Sequence, residues 1–153
     1  MADQLDWKNI LHETTDSVHV ITCEEPALDD VARTAPKGTV ARIVRGQRCH
    51  SKERTLQEWA AALQFPSYFG NNWDAFEDCV KDLEWLQGRR VVAIVTRSDE
   101  MLPRSPEDFA TLLSILVATQ TETSLRVVFQ CNPGRADAFR RRINKAHKDS
   151  SAR

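Results

Sequence analysis

The sequence has little glycine and proline and contains no long apolar run. Its 153 residues include five glycines and six prolines, too few for collagen or for a low-complexity linker protein. The most apolar run, residues 112–118, is interrupted by Ser114, whereas a membrane span needs about 20 predominantly apolar residues. The first residues read Met-Ala-Asp-Gln-Leu-Asp, which is acidic where a secretory signal is basic and then apolar. These absences exclude a fibrous protein and a membrane span, and they predict a cytoplasmic location.

Patterns for metal, cofactor and nucleophile chemistry are also missing. The four histidines show no H-E-x-x-H or other ligand spacing. The isolated glycines form no Walker or dinucleotide fingerprint, and no G-x-S-x-G elbow is present. The four cysteines lie far apart without a C-x-x-C pair, which predicts reduced, mostly buried thiols: they are Cys23, Cys49, Cys79 and Cys131. We therefore predict no metal, no cofactor and no enzymatic activity.

The net charge of −1 conceals charged segments of opposite sign. The net charge is −5 over residues 1–38, +3 over 39–65, −4 over 66–84 and +5 over 134–153. A chain that is nearly neutral overall exerts no long-range attraction on phosphate, so its bulk charge does not indicate nucleic-acid binding. The most compact acidic segment, 66–84, also contains the most unusual motif.

Hydrophobic periodicity predicts strands that alternate with helices. The run VVAIV at 91–95 is typical of a strand covered on both faces, and Ser105 followed by Pro106 is typical of a capped helix start. Strands are predicted at 18–23, 39–44, 89–96 and 125–129, and helices at 26–35, 55–65, 72–86, from 106 onward and at 135–148, with a turn or helix at 4–12. This alternation predicts one layered α/β domain with a mainly parallel sheet.

The segment at 65–86, FPSYFGNNWDAFEDCVKDLEWL, combines an aromatic loop with an acidic helix. Tyr68 and Phe69 stand beside Gly70 in the loop, and Asn72 is a favourable N-cap for the helix that follows. Four apolar residues then recur at helical spacing and are expected to face the core: Trp73, Phe76, Val80 and Leu83. Three aspartates spaced by four residues are expected to share another face: Asp74, Asp78 and Asp82.

The residues alone leave three interpretations of this acidic helix open. It is a solvated face whose acids complement the helix dipole, an anionic docking surface for a basic cleft, or a hydrolase site in which Asp74 and Asp78 act as acid and base. A separate alternative concerns the arginine run at 140–142, which permits a basic-tailed nucleic-acid binding module. A surface helix with Phe139 and Ile143 turned inward explains the same run.

The motif in the acidic segment resembles the signature of barstar and barstar-related inhibitors. The residues that carry the resemblance are Tyr68-Phe69-Gly70-Asn71-Asn72-Trp73-Asp74-Ala75, followed by Asp78-Cys79. They follow the pattern Tyr-x-Gly-x-Asn-x-Asp-Ala with a second aspartate four residues later. The predicted order of elements over residues 39–131, namely strand, helix, motif helix, strand, helix and strand, is also similar to that family.

The resemblance implies a barstar-like layered fold, with a small, mainly parallel sheet flanked by helices. Residues 39–133 would form the barstar-like domain, 1–38 an N-terminal extension with an extra strand and helix packed on the same domain, and 134–153 a basic C-terminal helix and tail. The resemblance also implies a bacterial immunity protein: a cytoplasmic monomer that binds a cognate toxin, a ribonuclease, in a 1:1 complex and inhibits it. Neither a membrane nor direct nucleic-acid contact is expected.

The resemblance further implies which residues contact the toxin. By position, Asp78 matches the acid that occupies a phosphate site of the nuclease, and Tyr68, Gly70 and Asp74 match other contact positions of the family. The remaining members of the predicted partner-binding set are Phe69, Asn72, Trp73 and Glu77. Glu77 stands where barstar itself has a large aromatic residue, which makes this surface more acidic. Trp73, directly after the N-cap, is expected to pack inward.

Overall fold

A four-stranded parallel sheet lies at the centre of the part of the chain that the computed structural model describes, which comprises Trp7, residues 18–87 and residues 90–151. Its strands are β1 (His19–Thr22), β2 (Thr39–Arg45), β3 (Arg90–Thr96) and β4 (Arg126–Cys131). The spatial order is β1-β4-β3-β2. All three strand pairs are parallel, so the predicted parallel sheet is confirmed.

Five helices within the described residues cover the two faces of this sheet. They are α1 (Ala27–Arg33), α2 (Lys52–Leu63), α3 (Trp73–Asp82), α4 (Pro106–Glu122) and α5 (Ala136–Ser151). None of these helices, as far as the structure describes them, is both long and apolar enough to cross a bilayer.

Strand β3 shows how the two faces are filled. Successive residues of a strand point to opposite faces. Val91, Ala93 and Val95 join the larger core cluster with α2, α3, α4 and α5, whereas Val92 and Ile94 join a smaller cluster with α1. The strand is buried from its second residue to its last, which confirms the prediction of a strand covered on both faces.

The helix predicted at 72–86 is shorter in the structure. Helix α3 ends at Asp82 because Leu83 adopts a left-handed backbone conformation with φ 47°, and a short 3-10 turn, Glu84–Leu86, follows. Leu83 and Leu86 are nonetheless buried. The apolar spacing therefore predicted the buried side chains correctly but overextended the helix.

Helix α2 starts earlier than predicted, whereas α4 starts at the predicted residue. Helix α2 begins at Lys52 rather than at 55, because the Ser51 Oγ accepts a hydrogen bond from the Arg54 N–H at 3.2 Å. Ser105 precedes α4 as predicted, but its hydroxyl makes no capping hydrogen bond to the helix. The predicted N-cap position of Ser105 and the predicted place of Pro106 are therefore confirmed, although the Ser105 side chain adds no capping bond and Pro106 remains the local start signal.

The N-terminal residues contribute to the same sheet where the structure describes them. Strand β1 pairs with β4 at one edge of the sheet, and the helix predicted at 26–35 corresponds to α1. Of the segment predicted as a turn or helix at 4–12, Trp7 alone lies within the described residues, and it packs against the smaller core cluster.

All four cysteines lie in the described part of the chain, where each is buried and free of disulfides. Their predicted burial is confirmed. Burial is the main cause that raises the pKa of Cys49 to about 12 and the pKa of Cys131 to about 11.

Candidate functional site

Asn72 organises the start of α3 and the loop before it. Its backbone is extended, and its Oδ1 accepts a hydrogen bond from the Ala75 N–H at 2.8 Å. Its Nδ2 donates to the Gly70 carbonyl at 3.2 Å. The predicted N-cap is thus confirmed, and the same side chain also holds the loop against the helix. A Cβ at position 70 would lie 3.3 Å from the Asn72 Nδ2, so glycine gives the cap the room it needs.

The two adjacent aromatics of the loop face different surroundings. Tyr68 is 74% exposed, which makes it the exposed large hydrophobic side chain of the described residues. Phe69 is half-buried, with its ring 5.1 Å from the ring of Phe65. Its N–H donates to the Pro66 carbonyl at 3.0 Å. Phe69 therefore anchors the loop to the core, and Tyr68 is left projecting into solvent.

One face of α3 is fixed by an aromatic cluster. Phe76 is fully buried, and its ring lies 5.6 Å from the rings of both Trp59 and Trp73 in edge-on contact. Val80, one turn later, is also fully buried. These contacts confirm the predicted core face of the motif helix.

The aspartates of α3 lie on the exposed side that this packing leaves. We call them the acidic stripe: Asp74, Asp78 and Asp82. Consecutive members are separated by about 6 Å along the helix axis. Their carboxylates make no hydrogen bond or ion pair with any residue that the structure describes. Their charge reaches the neighbouring Cys79, whose thiol pKa is raised first by burial and then by Asp78 and Asp82.

Glu77 differs from the acidic stripe because its carboxylate is already in an ion pair. The Lys81 Nζ lies 2.8 Å from the Glu77 Oε1 and 3.3 Å from the Glu122 Oε2 of α4. Hydrogen bonds to these two carboxylates raise the pKa of Lys81. Glu77 is therefore paired within the fold, although one lysine shared by two glutamates leaves this trio with a net charge of −1.

Trp73 turns inward, as predicted. It is half-buried and packs against the larger core cluster. Its indole Nε1 donates a hydrogen bond to the Asp108 Oδ1 in the first turns of α4 at 3.1 Å. Trp73 thus connects the start of the motif helix to the neighbouring helix.

The eight predicted site residues fall into two groups by exposure. The half-buried group contacts the rest of the protein: Phe69, Trp73 and Glu77. The exposed group lies at the surface, with the Asn72 side chain engaged in the capping contacts above: Tyr68, Gly70, Asn72, Asp74 and Asp78. Sequence reasoning missed Lys81, Asp108 and Glu122. The i,i+4 spacing of Glu77 and Lys81 signals their ion pair, but no sequence pattern signals the contacts that cross from α3 to α4.

The exposed motif residues do not line the main cavities found in the described structure. A cavity of about 310 Å³ lies between α4 and the end of α5, and another of about 190 Å³ lies beyond the end of α3. Among the described residues, no group of three or more His, Cys, Asp or Glu side chains could hold a metal ion. A projecting tyrosine and free carboxylates form an exposed surface rather than a concave pocket of the kind that holds a small molecule.

Residues 39–133 match the family model described as Barstar (barnase inhibitor). The chain belongs to the barstar family. The match confirms the resemblance seen in the motif, and the parallel sheet with flanking helices agrees with the barstar-like fold. Since the family is described by inhibition of barnase, a ribonuclease, membership supports an inhibitor-like role and a protein partner.

Comparison with solved structures supports the fold alone. No curated protein matches the chain. A chain in the structure of Drosophila ORC bound to AT-rich DNA and Cdc6 is similar, with a TM-score of 0.54 and 16% sequence identity. The similarity covers 84% of this barstar-family chain and 44% of the Drosophila chain, so the present chain spans less than half of that relative's length.

Proposed function

We propose that this barstar-family chain is an immunity-type inhibitor that blocks the active site of a ribonuclease toxin. The proposal depends on the acidic stripe of α3, which is unpaired within the described residues and follows the exposed Tyr68 in the chain. Both lie within the segment that matches the family. The protein acts in this proposal as a cytoplasmic monomer in a bacterial cell and forms a 1:1 complex with its toxin.

Mimicry of the phosphate backbone explains the inhibition. A ribonuclease binds its substrate phosphates with cationic side chains, and carboxylates accept strong charge-assisted hydrogen bonds from such groups. Asp74 and Asp78 are exposed and have no partner among the described residues, so no internal bond has to break before they bind the nuclease. Complementary charge also accelerates encounter, which suits the capture of a toxin before it cleaves RNA.

Tyr68 and the capped loop provide the steric part of the block. Aromatic side chains are enriched among the residues that dominate interface energies. Phe69 and Asn72 hold the loop on the core and on α3, so Tyr68 is presented from a fixed backbone. A pre-ordered loop loses less conformational entropy on binding.

The structural surroundings of Asp74 and Asp78 argue against the hydrolase alternative. A carboxylic acid that donates a proton near neutral pH generally needs an environment that disfavours its charge. Both aspartates are exposed, and neither lines the cavities described above. The nucleic-acid alternative is also weaker, because Arg142 of the arginine run is committed to contacts inside the protein.

Inhibition of RNA cleavage tests the proposal directly. The purified chain is titrated into barnase and into any ribonuclease encoded beside its own gene, and cleavage of a fluorogenic RNA is followed. We expect inhibition that saturates at one chain per nuclease, and no cleavage by the chain alone.

A matched pair of double variants provides the control. Asp74→Ala/Asp78→Ala should lose inhibition, whereas Asp137→Ala/Asp149→Ala removes the same charge from α5 and should inhibit like the wild type. Failure of the wild type against every nuclease tested, or wild-type inhibition by Asp74→Ala/Asp78→Ala, would overturn the proposal.

A further inference from the structure

Two polar contacts hold α3 against α4, one near each end of α3. At its start, the Trp73 indole N–H donates to the Asp108 carboxylate at 3.1 Å. Near its end, the Lys81 ammonium bridges Glu77 of α3 and Glu122 of α4 at 2.8 and 3.3 Å. Trp73, Glu77 and Lys81 recur every four residues, so they form one stripe along the helix, which we call the docking stripe.

The acidic stripe follows the docking stripe by one residue at every position. Neighbouring helical residues differ by about 100° around the axis. The rotation of α3 that places the docking stripe against α4 therefore also sets the direction in which Asp74 and Asp78 leave the surface. A shift in one stripe moves the other, because the backbone hydrogen bonds make the helix a single rigid element.

Apolar packing fixes which face of α3 meets the core, and polar contacts refine the rotation of the helix on that face. Helix α3 has ten residues, of which Phe76, Cys79 and Val80 are buried. Isolated helices of this length are marginal in water, and hydrophobic attraction is non-directional. A hydrogen bond weakens steeply when its distance or angle changes, so the polar contacts with α4 add a directional restraint to the apolar packing.

The contact at the start of α3 is the stronger restraint. The Trp73–Asp108 hydrogen bond joins two half-buried residues. The side chains of Lys81, Glu77 and Glu122 remain 32%, 38% and 56% exposed, so solvent screens their attraction. The Trp73–Asp108 contact also lies directly beside Asp74.

We infer that Asp108 is a positioning residue for the partner-binding face: through Trp73 it fixes the rotation of α3 and so aims Asp74 and Asp78 at the nuclease. The inference rests on the proposed function, since it identifies a residue on a second helix that directs the inhibitory acids. Asp108 acts through Trp73 and does not need to touch the nuclease itself.

Three substitutions on α4 separate positioning from charge. Asp108→Ala removes the acceptor, Asp108→Asn keeps an acceptor oxygen in the same place, and Glu107→Ala removes an exposed carboxylate from the same helical turn. The Trp73 indole N–H and the backbone amides of Asp74 and Asp78 are followed by NMR in the free protein. Dissociation from barnase is measured in parallel at a temperature where every variant is folded.

We expect Asp108→Ala alone to shift the Trp73 indole resonance and the Asp74 and Asp78 amides. Its complex with barnase should be about tenfold weaker, the scale of one lost hydrogen bond to a charged group. Asp108→Asn should restore both signals and bind within about twofold of the wild type, on the same scale. Glu107→Ala should match the wild type in both measurements.

The free-protein signals keep this inference separable from the proposed function. If the wild-type chain binds no barnase, the inhibitor proposal fails on that probe, and the amide shifts still decide whether Asp108 aims the acidic stripe. Unmoved Asp74 and Asp78 amides in Asp108→Ala would overturn the inference. So would wild-type barnase affinity in that variant, or an equal loss in Asp108→Asn.

Discussion

Helices α3 and α5 are both charged surface helices, but the fold uses their charges in opposite ways. The acidic stripe of α3 is exposed and makes no bond with the described residues. On α5, by contrast, the Arg142 guanidinium turns back onto the protein. It lies 3.9 Å from the centre of the Phe109 ring and donates to the Leu102 carbonyl at 2.6 Å. A charged run in a sequence can therefore combine groups that fold the chain with groups left free for a partner.

The difference arises because the charges of the two helices lose their hydration at different steps. Arg142 of α5 is partly desolvated when the chain folds, whereas the acids of α3 would be desolvated when a partner binds. Burial lowers the pKa of Arg142, and Asp99 partly offsets this shift. Because arginine stays charged in proteins, its half-buried guanidinium needs the ring and carbonyl contacts that it makes. The acids of α3 remain hydrated in the free protein, so their desolvation cost arises only when a partner binds.

The largest loss of stability is expected for a substitution that removes the contacts between α3 and the core. Phe76→Ala removes a fully buried ring that contacts Trp59 and Trp73. Substitutions of this type cost about 3–5 kcal/mol in the free energy of unfolding, which urea denaturation measures. Phe139→Ala on α5, where the ring is equally buried, should cost a similar amount. A loss below about 1 kcal/mol for Phe76→Ala, well under that range, would show that α3 is held mainly by its polar contacts.

The next effect concerns binding and leaves the fold intact. Asp78→Ala should weaken the complex with the ribonuclease by about 2–5 kcal/mol, since the cation that it pairs with stays buried and unpaired. Asp74→Ala and Tyr68→Ala should follow with smaller losses. The melting temperature should stay close to the wild-type value, because the Asp78 carboxylate is exposed.

Titration calorimetry and thermal melts on the same preparations check this expectation. If Asp78→Ala destabilises the free protein as strongly as Phe76→Ala does, Asp78 has a structural role. If Asp74→Ala weakens the complex more than Asp78→Ala does, the interface centre lies nearer the start of α3.

A smaller loss of stability should distinguish two neighbouring arginines of α5, one with contacts inside the protein and one exposed to solvent. Arg142→Ala should destabilise the fold by about 1–2 kcal/mol, since it removes the charged donor to the Leu102 carbonyl and the contact with Phe109. That carbonyl keeps a second donor, the Ser105 N–H at 3.3 Å, which limits the loss. Arg141→Ala, at an exposed neighbouring position, should stay within about 0.5 kcal/mol of the wild type. Urea denaturation compares the two, and equal losses would show that the Arg142 contacts contribute little in solution.

The sequence predicts the layers of the fold and the core face of α3 because periodic apolar side chains report burial directly. It predicts the N-cap at Asn72 because one side chain satisfies a local backbone donor. It does not predict where α3 ends, since Leu83 is buried whether or not the helix continues through it. The bond from Trp73 to Asp108 is also missed. The two residues lie 35 positions apart, and their contact depends on how two helices pack together.

The smallest expected effect tests whether the acidic stripe attracts the nuclease before contact. The association rate with barnase should fall as salt rises from about 0.01 M to about 1 M, because the Debye length shrinks from about 30 Å to about 3 Å. Stopped-flow measurements should give a flatter salt dependence for Asp74→Ala/Asp78→Ala. Arg141→Ala/Lys145→Ala, which removes exposed charge of the opposite sign from α5, should keep a dependence at least as steep as that of the wild type. If the aspartate double variant instead keeps the wild-type slope, the acidic stripe does not steer the encounter. The attraction would then come from other acids, such as those of residues 1–38 with their net charge of −5.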